Sequence, residues 1–260
     1  MTLKELDEYF NSFLHKENFS SDPSRNGIQI ENSDVAGKQI KKIAFAVDAC
    51  CETAENAAKN GADLLFVHHG LFWGGCETIT GSHYKRINSF LKNDLALYAS
   101  HIPLDANSEV GNNYGLAFNI GLKNLQPFGM WRGMTIGVKG ELEKPLTLEE
   151  IAKKALRSCA KPRFFPFGSN SNGEQQNVRT LAIVSGGAGE DHVQAALEGL
   201  DAYLTGEFSH EEFHSAQEYG INVIAGGHYE TEIIGVNLVR QKVEKELGLE
   251  TIFIDIPTGL

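Results

Sequence analysis

The chain has 260 residues, the length of one large domain or two small ones. Hydrophobic residues make up 42% and charged residues 22%, a globular composition that argues against disorder. The 23 basic and 34 acidic residues leave a net charge of −11. That disfavours general binding to nucleic acid or to an anionic membrane surface, although a local basic pocket is compatible with it.

No apolar run reaches the roughly 18–20 residues of a bilayer span. Residues 1–7 carry acids where a signal peptide would carry bases. Cys50, Cys51, Cys76 and Cys159 contain no CxxC pair, so neither a disulfide framework nor a thiolate zinc site is expected, and the compartment reads as reducing and cytoplasmic.

In chain order, residues 2–13 have the apolar spacing of a helix, with Leu3, Leu6, Tyr9, Phe10, Phe13 and the following Leu14 on one face. Residues 20–27 form a turn-rich loop. A buried strand at 43–47, a helix at 52–60 closed by Gly61, and a second buried strand at 64–67 make a β-α-β unit with a parallel pair. A third strand falls at 95–99. After a strand at 134–138, a helix at 146–156 and a surface loop at 168–173, the grammar returns. It reads as a strand at 181–184, a helix at 191–198 stopped by Gly199, and a strand at 202–204. A helix at 234–247 and a strand at 251–256 follow.

The two copies imply an α/β fold of two related halves, with mixed, largely parallel sheets flanked by helices and a metal site between the halves. If the last strand returns to the first half, residues 1–125 and 233–260 form one domain and 126–232 a second domain inserted in it.

Three polar clusters follow buried strands, and the carboxyl ends of strands are where open α/β sheets bind ligands. The first is His68-His69-Gly70, the second His101-Ile102-Pro103-Leu104-Asp105, and the third Gly227-His228-Tyr229-Glu230-Thr231-Glu232. Adjacent residues on an extended chain point to opposite sides, so His68 and His69 are expected to straddle two ions rather than share one. His228 and Glu232, four apart at a helix start, share a face.

Taken singly, each cluster also reads as packing, a turn or a surface ion pair. Pooled, His68, His69, Asp105, His228 and Glu232 offer nitrogen and oxygen donors suited to zinc, iron or manganese. They are too many for one tetrahedral ion and enough for two. Two such ions would activate a bridging water and attract an anionic substrate. His101 is then either a proton shuttle or an orienter of Asp105.

Glu207, placed in the second copy as His69 is in the first, reads as a general base or a substrate-contacting acid. Arg132 could hold a phosphate or simply pair with a surface acid. His210 and His214 read as solvated, with a further metal as the alternative. Ser185-Gly186-Gly187-Ala188-Gly189 looks like a phosphate loop but lacks the spacing of a dinucleotide fingerprint.

The motifs Val67–Trp73, His101–Asp105 with Gly111-Asn112-Asn113, Thr205-Gly206-Glu207 and Gly227–Glu232, in that order, resemble the bacterial NIF-3-like family, also called GTP cyclohydrolase type 2-like proteins. The resemblance spans nearly the whole chain. It implies a dinuclear centre on His68, His69, Asp105, His228 and Glu232, with Glu232 bridging and His101 nearby. It further implies a ring-shaped homohexamer and hydrolysis of GTP or another heterocycle through metal-activated water. The alternative is a metal-binding regulatory or interaction protein without catalysis. Tyr229 departs from the pattern, standing where many relatives have another histidine, and the extra mid-chain domain of longer members is absent.

Overall fold

A computed structural model describes residues 1–169 and 177–260. The surface loop expected at 168–173 therefore lies, from residue 170 onward, outside the described residues. The elements in chain order are helix α1 (Leu3–Leu14), strands β1 (Gly27–Ile30) and β2 (Lys42–Asp48), helix α2 (Cys51–Lys59) and strand β3 (Leu64–His69). Next come helix α3 (Gly81–Leu91), strand β4 (Ala96–Ala99), the short helix α4 (Ile102–Asp105) and helix α5 (Asn112–Ile120). Strands β5 (Lys123–Trp131) and β6 (Met134–Leu146), helix α6 (Leu148–Ala155) and strands β7 (Arg163–Phe165) and β8 (Val178–Val184) follow. The chain continues through helix α7 (His192–Leu197), strand β9 (Ala202–Thr205), helix α8 (His210–Tyr219), strand β10 (Asn222–Ala225), helix α9 (His228–Leu247) and strand β11 (Glu250–Phe253).

The chain divides into two compact units. One contains Met1–Val110 and Gly235–Ile256, the other Gly111–Ile234 and Pro257–Leu260.

The first unit holds a five-stranded sheet in the order β1-β4-β3-β2-β11. All its neighbours are parallel except β1, which runs antiparallel to β4 at one edge. The central strands β3 and β4 are buried along almost their whole length, as the continuous apolar runs of a covered parallel sheet require. Helix α1 begins with a capping box, Thr2 accepting from the Glu5 amide while the Glu5 carboxylate accepts from the Thr2 amide. Its buried face carries Leu3, Leu6, Phe10 and Leu14. The Phe10 ring packs 5.0 Å from Phe66 and 4.8 Å from Tyr98 between ring centres.

The second unit holds a six-stranded sheet in the order β5-β6-β8-β9-β10-β7. Strands β8, β9 and β10 are parallel, and the strands outside them run antiparallel. Its core joins Leu116, Ile120, Val138, Ile151, Leu181, Ile183, Leu204 and Ile224.

The two β-α-β units share a structural detail. Asp63, just before β3, takes the Lys41 and Lys42 amides on Oδ2 and so pins the start of β2. Asp201, just before β9, does the same with the Arg179 and Thr180 amides at the start of β8.

Candidate functional site

In the first unit, β3 and β4 end side by side, and the chain leaving β4 turns into α4. His68 and His69 close β3, His101 precedes α4 and Asp105 ends it. Donor atoms of His68, His69 and His101 all lie within 4.8 Å of one another. The His68 and His69 rings are 4.5 Å apart, centre to centre, and the His68 and His101 rings 5.1 Å.

The alternation expected for an extended pair thus does not separate the two rings. It governs the Cβ directions, and beyond them each ring is steered by its own acceptor. The Nδ1 of His68 lies 2.9 Å from the Ser100 carbonyl, and that of His69 lies 2.8 Å from Asp48 Oδ1. The Nδ1 of His101 lies 2.9 Å from Asp22 Oδ1.

A carbonyl or carboxylate oxygen can only accept, so each Nδ1 donates and each neutral ring presents the lone pair of Nε2. That arrangement is typical of histidines that bind metal. The Nε2 of His68 stands 3.6 Å from Asp105 Oδ2.

Asp22 and Asp48 are the contributors that sequence reasoning missed, and Asp22 rather than Asp105 is the partner of His101. Both carboxylate oxygens of Asp22 are engaged: beside the His101 contact on Oδ1, Oδ2 takes the Ile102 amide and the Asn26 side chain. Burial pushes the Asp22 carboxyl toward its neutral form, but hydrogen bonds from His101, Asn26 and the Ser24 amide outweigh burial and hold it below its ordinary range. The side-chain amide of Gln29 lies against Gly70, where a Cβ would stand 2.3 Å from Gln29 Nε2. Gly70 therefore lets Gln29 reach the Leu71 amide and fix the turn that leaves β3.

In the second unit, His228 and Glu232 open α9, as their four-residue spacing predicts. The Nε2 of His228 is 3.3 Å from Glu232 Oε1, and its Nδ1 is 2.6 Å from Glu207 Oε1. Burial disfavours the His228 cation, yet hydrogen bonds and charge from Glu232 and Glu207 raise its pKa to about 9. With Nδ1–H given to Glu207, a neutral His228 would face Glu232 acceptor to acceptor. A proton resolves that conflict, and so would a metal ion.

Gly186 makes the pairing possible. A Cβ there would stand 2.3 Å from Glu232 Oε1 and 3.1 Å from His228 Nε2. Gly186 thus clears room for the helix start. Asn113 braces this segment, taking the Ser185 amide on Oδ1 and donating to the Ile136 carbonyl.

The remaining sequence candidates lie elsewhere. Arg132 sits in the β5–β6 turn with its guanidinium over the Trp131 ring, 4.7 Å from the centre. His210 and His214 are exposed on α8, their rings 6.3 Å apart. The donor sets in both units, nitrogen and oxygen without thiolate and with Nδ1 atoms already fixed, fit a divalent metal ion. No described helix is long and apolar enough to cross a membrane.

The chain matches a known family. Residues 1–259 match Duf34/NIF3 (NGG1p interacting factor 3), and the chain belongs to that family. A relative from Deinococcus radiodurans named GTP cyclohydrolase 1 type 2 homolog is 44% identical, with 92% of this chain and 88% of the relative covered. One of the same name from Treponema pallidum is 40% identical over the full length of both. The crystal structure of TTHA1606 from Thermus thermophilus superposes with a TM-score of 0.85 at 33% identity, covering 100% of each chain.

Proposed function

We propose that the chain is a metal-dependent hydrolase in which His68, His69, Asp105, His228 and Glu232 hold two divalent ions, and that it acts on an anionic nucleotide or a related heterocycle. The observation that carries this reading is His228 set between two carboxylates, its Nε2 3.3 Å from Glu232 Oε1 while Glu207 occupies Nδ1. Imidazole and carboxylate donors gathered this closely suit a cation, whether the proton that His228 retains at its raised pKa or a divalent ion in its place. The His68–Asp105 approach at 3.6 Å supports the same logic in the other unit.

Divalent ions there would supply Lewis acidity and bring the pKa of water toward neutrality. The protein's own contribution is to orient and to move protons. Ser100, Asp48 and Glu207 fix the rings of His68, His69 and His228. His101, with Nδ1 on Asp22, exchanges a proton at Nε2. The relatives' shared name supports a guanine nucleotide, with water added across the purine ring, as the first substrate to try. Assembly as a homohexamer belongs to the same proposal and would show directly in the mass of the purified protein.

The test is metal content by elemental analysis of the wild type and of His68→Ala and Glu232→Ala, followed by incubation of the metal-loaded wild type with GTP. Two ions per chain in the wild type, fewer in both variants, and formate released from GTP are expected. Unchanged metal in both variants would overturn the site. Normal metal loading without turnover on any divalent ion would leave a metal-binding protein without this activity.

A further inference from the structure

We infer that Trp73, with Arg25 beside it, forms a stacking subsite for the planar heteroaromatic ring of an anionic ligand at the rim of the His68–His69–His101 cluster. The inference rests on the proposed metal site and names the kind of molecule that site receives.

The Trp73 indole is held in place from several directions. Its Nε1–H donates to the Gly70 carbonyl at 3.0 Å, and the residue forms an isolated bridge with Ser24. The Arg25 amide donates to the Phe72 carbonyl at 3.0 Å. The ring lies 4.9 Å from the His101 ring and 6.0 Å from the His69 ring, centre to centre. Even so, Trp73 remains 38% exposed.

A large apolar ring with its one polar atom satisfied gains nothing from water. Fixed beside two imidazoles, it offers an aromatic surface of the kind on which nucleobases stack, with little left to order on binding.

The second observation is charge. The Arg25 guanidinium donates to the Gly74 carbonyl at 3.1 Å, on the residue following Trp73. Arg25 is exposed and forms no salt bridge among the described residues. In a chain of net charge −11, a cation without a carboxylate partner, fastened next to an exposed indole, suits a ligand that joins a flat ring to an anion. Arg presents further N–H donors for phosphate once one is used on the loop.

The chain has two tryptophans, so Trp131→Phe leaves Trp73 as the sole indole reporter. In that background guanosine and GTP should both quench Trp73 emission, whereas tripolyphosphate should not. Trp73→Ala should weaken guanosine and GTP binding by equilibrium dialysis on the order of 10-fold, with Trp73→Phe restoring most of it. Arg25→Gln should weaken GTP alone, leaving guanosine unchanged.

Metal content, measured on the same samples, should be equal in all variants. Absence of quenching by guanosine, or unchanged affinity in Trp73→Ala at full metal loading, overturns the subsite. Quenching by guanosine in Trp131→Phe protein that takes up no metal on incubation with any divalent ion would instead overturn the metal reading while supporting the stacking platform.

Discussion

The β2-α2-β3 segment of the first unit and the β8-α7-β9 segment of the second are built to one plan and carry opposite chemistry at the same end. Each is a parallel pair whose second strand is preceded by an aspartate pinning the first, Asp63 in one and Asp201 in the other. Counted from those aspartates, His69 corresponds to Glu207, His68 to Gly206 and Asp48 to Gly186. The first unit thus presents donors directly from its strand ends. In the second, two of the three matching places are glycine and the third, Glu207, holds the His228 ring, while the donors His228 and Glu232 arrive on the start of α9. A Cβ at Gly206 would come within 2.8 Å of the His228 Cα and 2.7 Å of the Gly186 carbonyl. One scaffold carries candidate ligands at its strand ends, and the other clears space for a helix that carries them.

The sharpest way to break this comparison is Gly206→Ala. Two of the three contacts it makes are to backbone, which cannot swing aside, so overpacking should cost about 3 kcal/mol. In calorimetry that corresponds to a melting temperature lower by roughly 8 °C for a protein of this size. A loss below about 1 kcal/mol would show that α9 can shift, and that the glycine is not what admits the helix.

Next in size are the carboxylates that orient the rings, one from each unit. Asp48→Asn and Glu207→Gln keep shape but replace an acceptor carboxylate on His69 or His228 with an amide. Loss of such support weakens metal binding by roughly 10- to 100-fold. Asp48 is the less exposed, its side chain 38% accessible against 56% for Glu207, so Asp48→Asn should show the larger loss in a chelator competition. Equal and negligible losses would mean that the two carboxylates are surface partners without a role in holding the rings.

The sequence made much of this legible because histidines and carboxylates, the residue types that can hold a metal, stand directly after apolar runs. The apolar runs ending at His68, Ser100 and Gly226 located three strands, and the i, i+4 pair His228 and Glu232 fell on one helix face. The hidden parts depend on tertiary register. Asp48 reaches His69 because β2 and β3 pair those two residues side by side. Asp22 reaches His101 across a long stretch of chain, from inside a loop that reads simply as a turn.

Edge and polar elements were equally silent. Strand β1 is four residues of an edge pairing, and the polar segment of α3 shows little apolar period although it buries Ile87 and Phe90. Helix α5 hides behind Asn112 and Asn113, which are buried for their hydrogen bonds rather than for hydrophobicity. The role of Gly186 could not be seen without its neighbours, since a glycine-rich strand-to-helix turn more commonly advertises a phosphate.

The smallest effect concerns how the two corresponding helices begin. Helix α2 starts with Cys50 accepting the Thr53 amide on its sulfur. Helix α7 instead follows a tight turn at Gly189–Asp191, and the Asp191 side chain makes no cap. Burial, with a lesser contribution from Glu190, raises the Asp191 pKa from 3.8 to about 6.

A carboxyl whose folded pKa lies above its unfolded one binds more protons when folded, so its contribution to stability is full below pH 3.8 and is lost as pH rises through about 6. Asp191→Asn removes that charge and should raise stability above pH 6 by about 1 kcal/mol, after allowing for partial solvation. Urea midpoints measured from pH 4 to 7 on the wild type and the variant should therefore diverge as pH increases. Parallel curves would place Asp191 in water and remove this difference between the two helices.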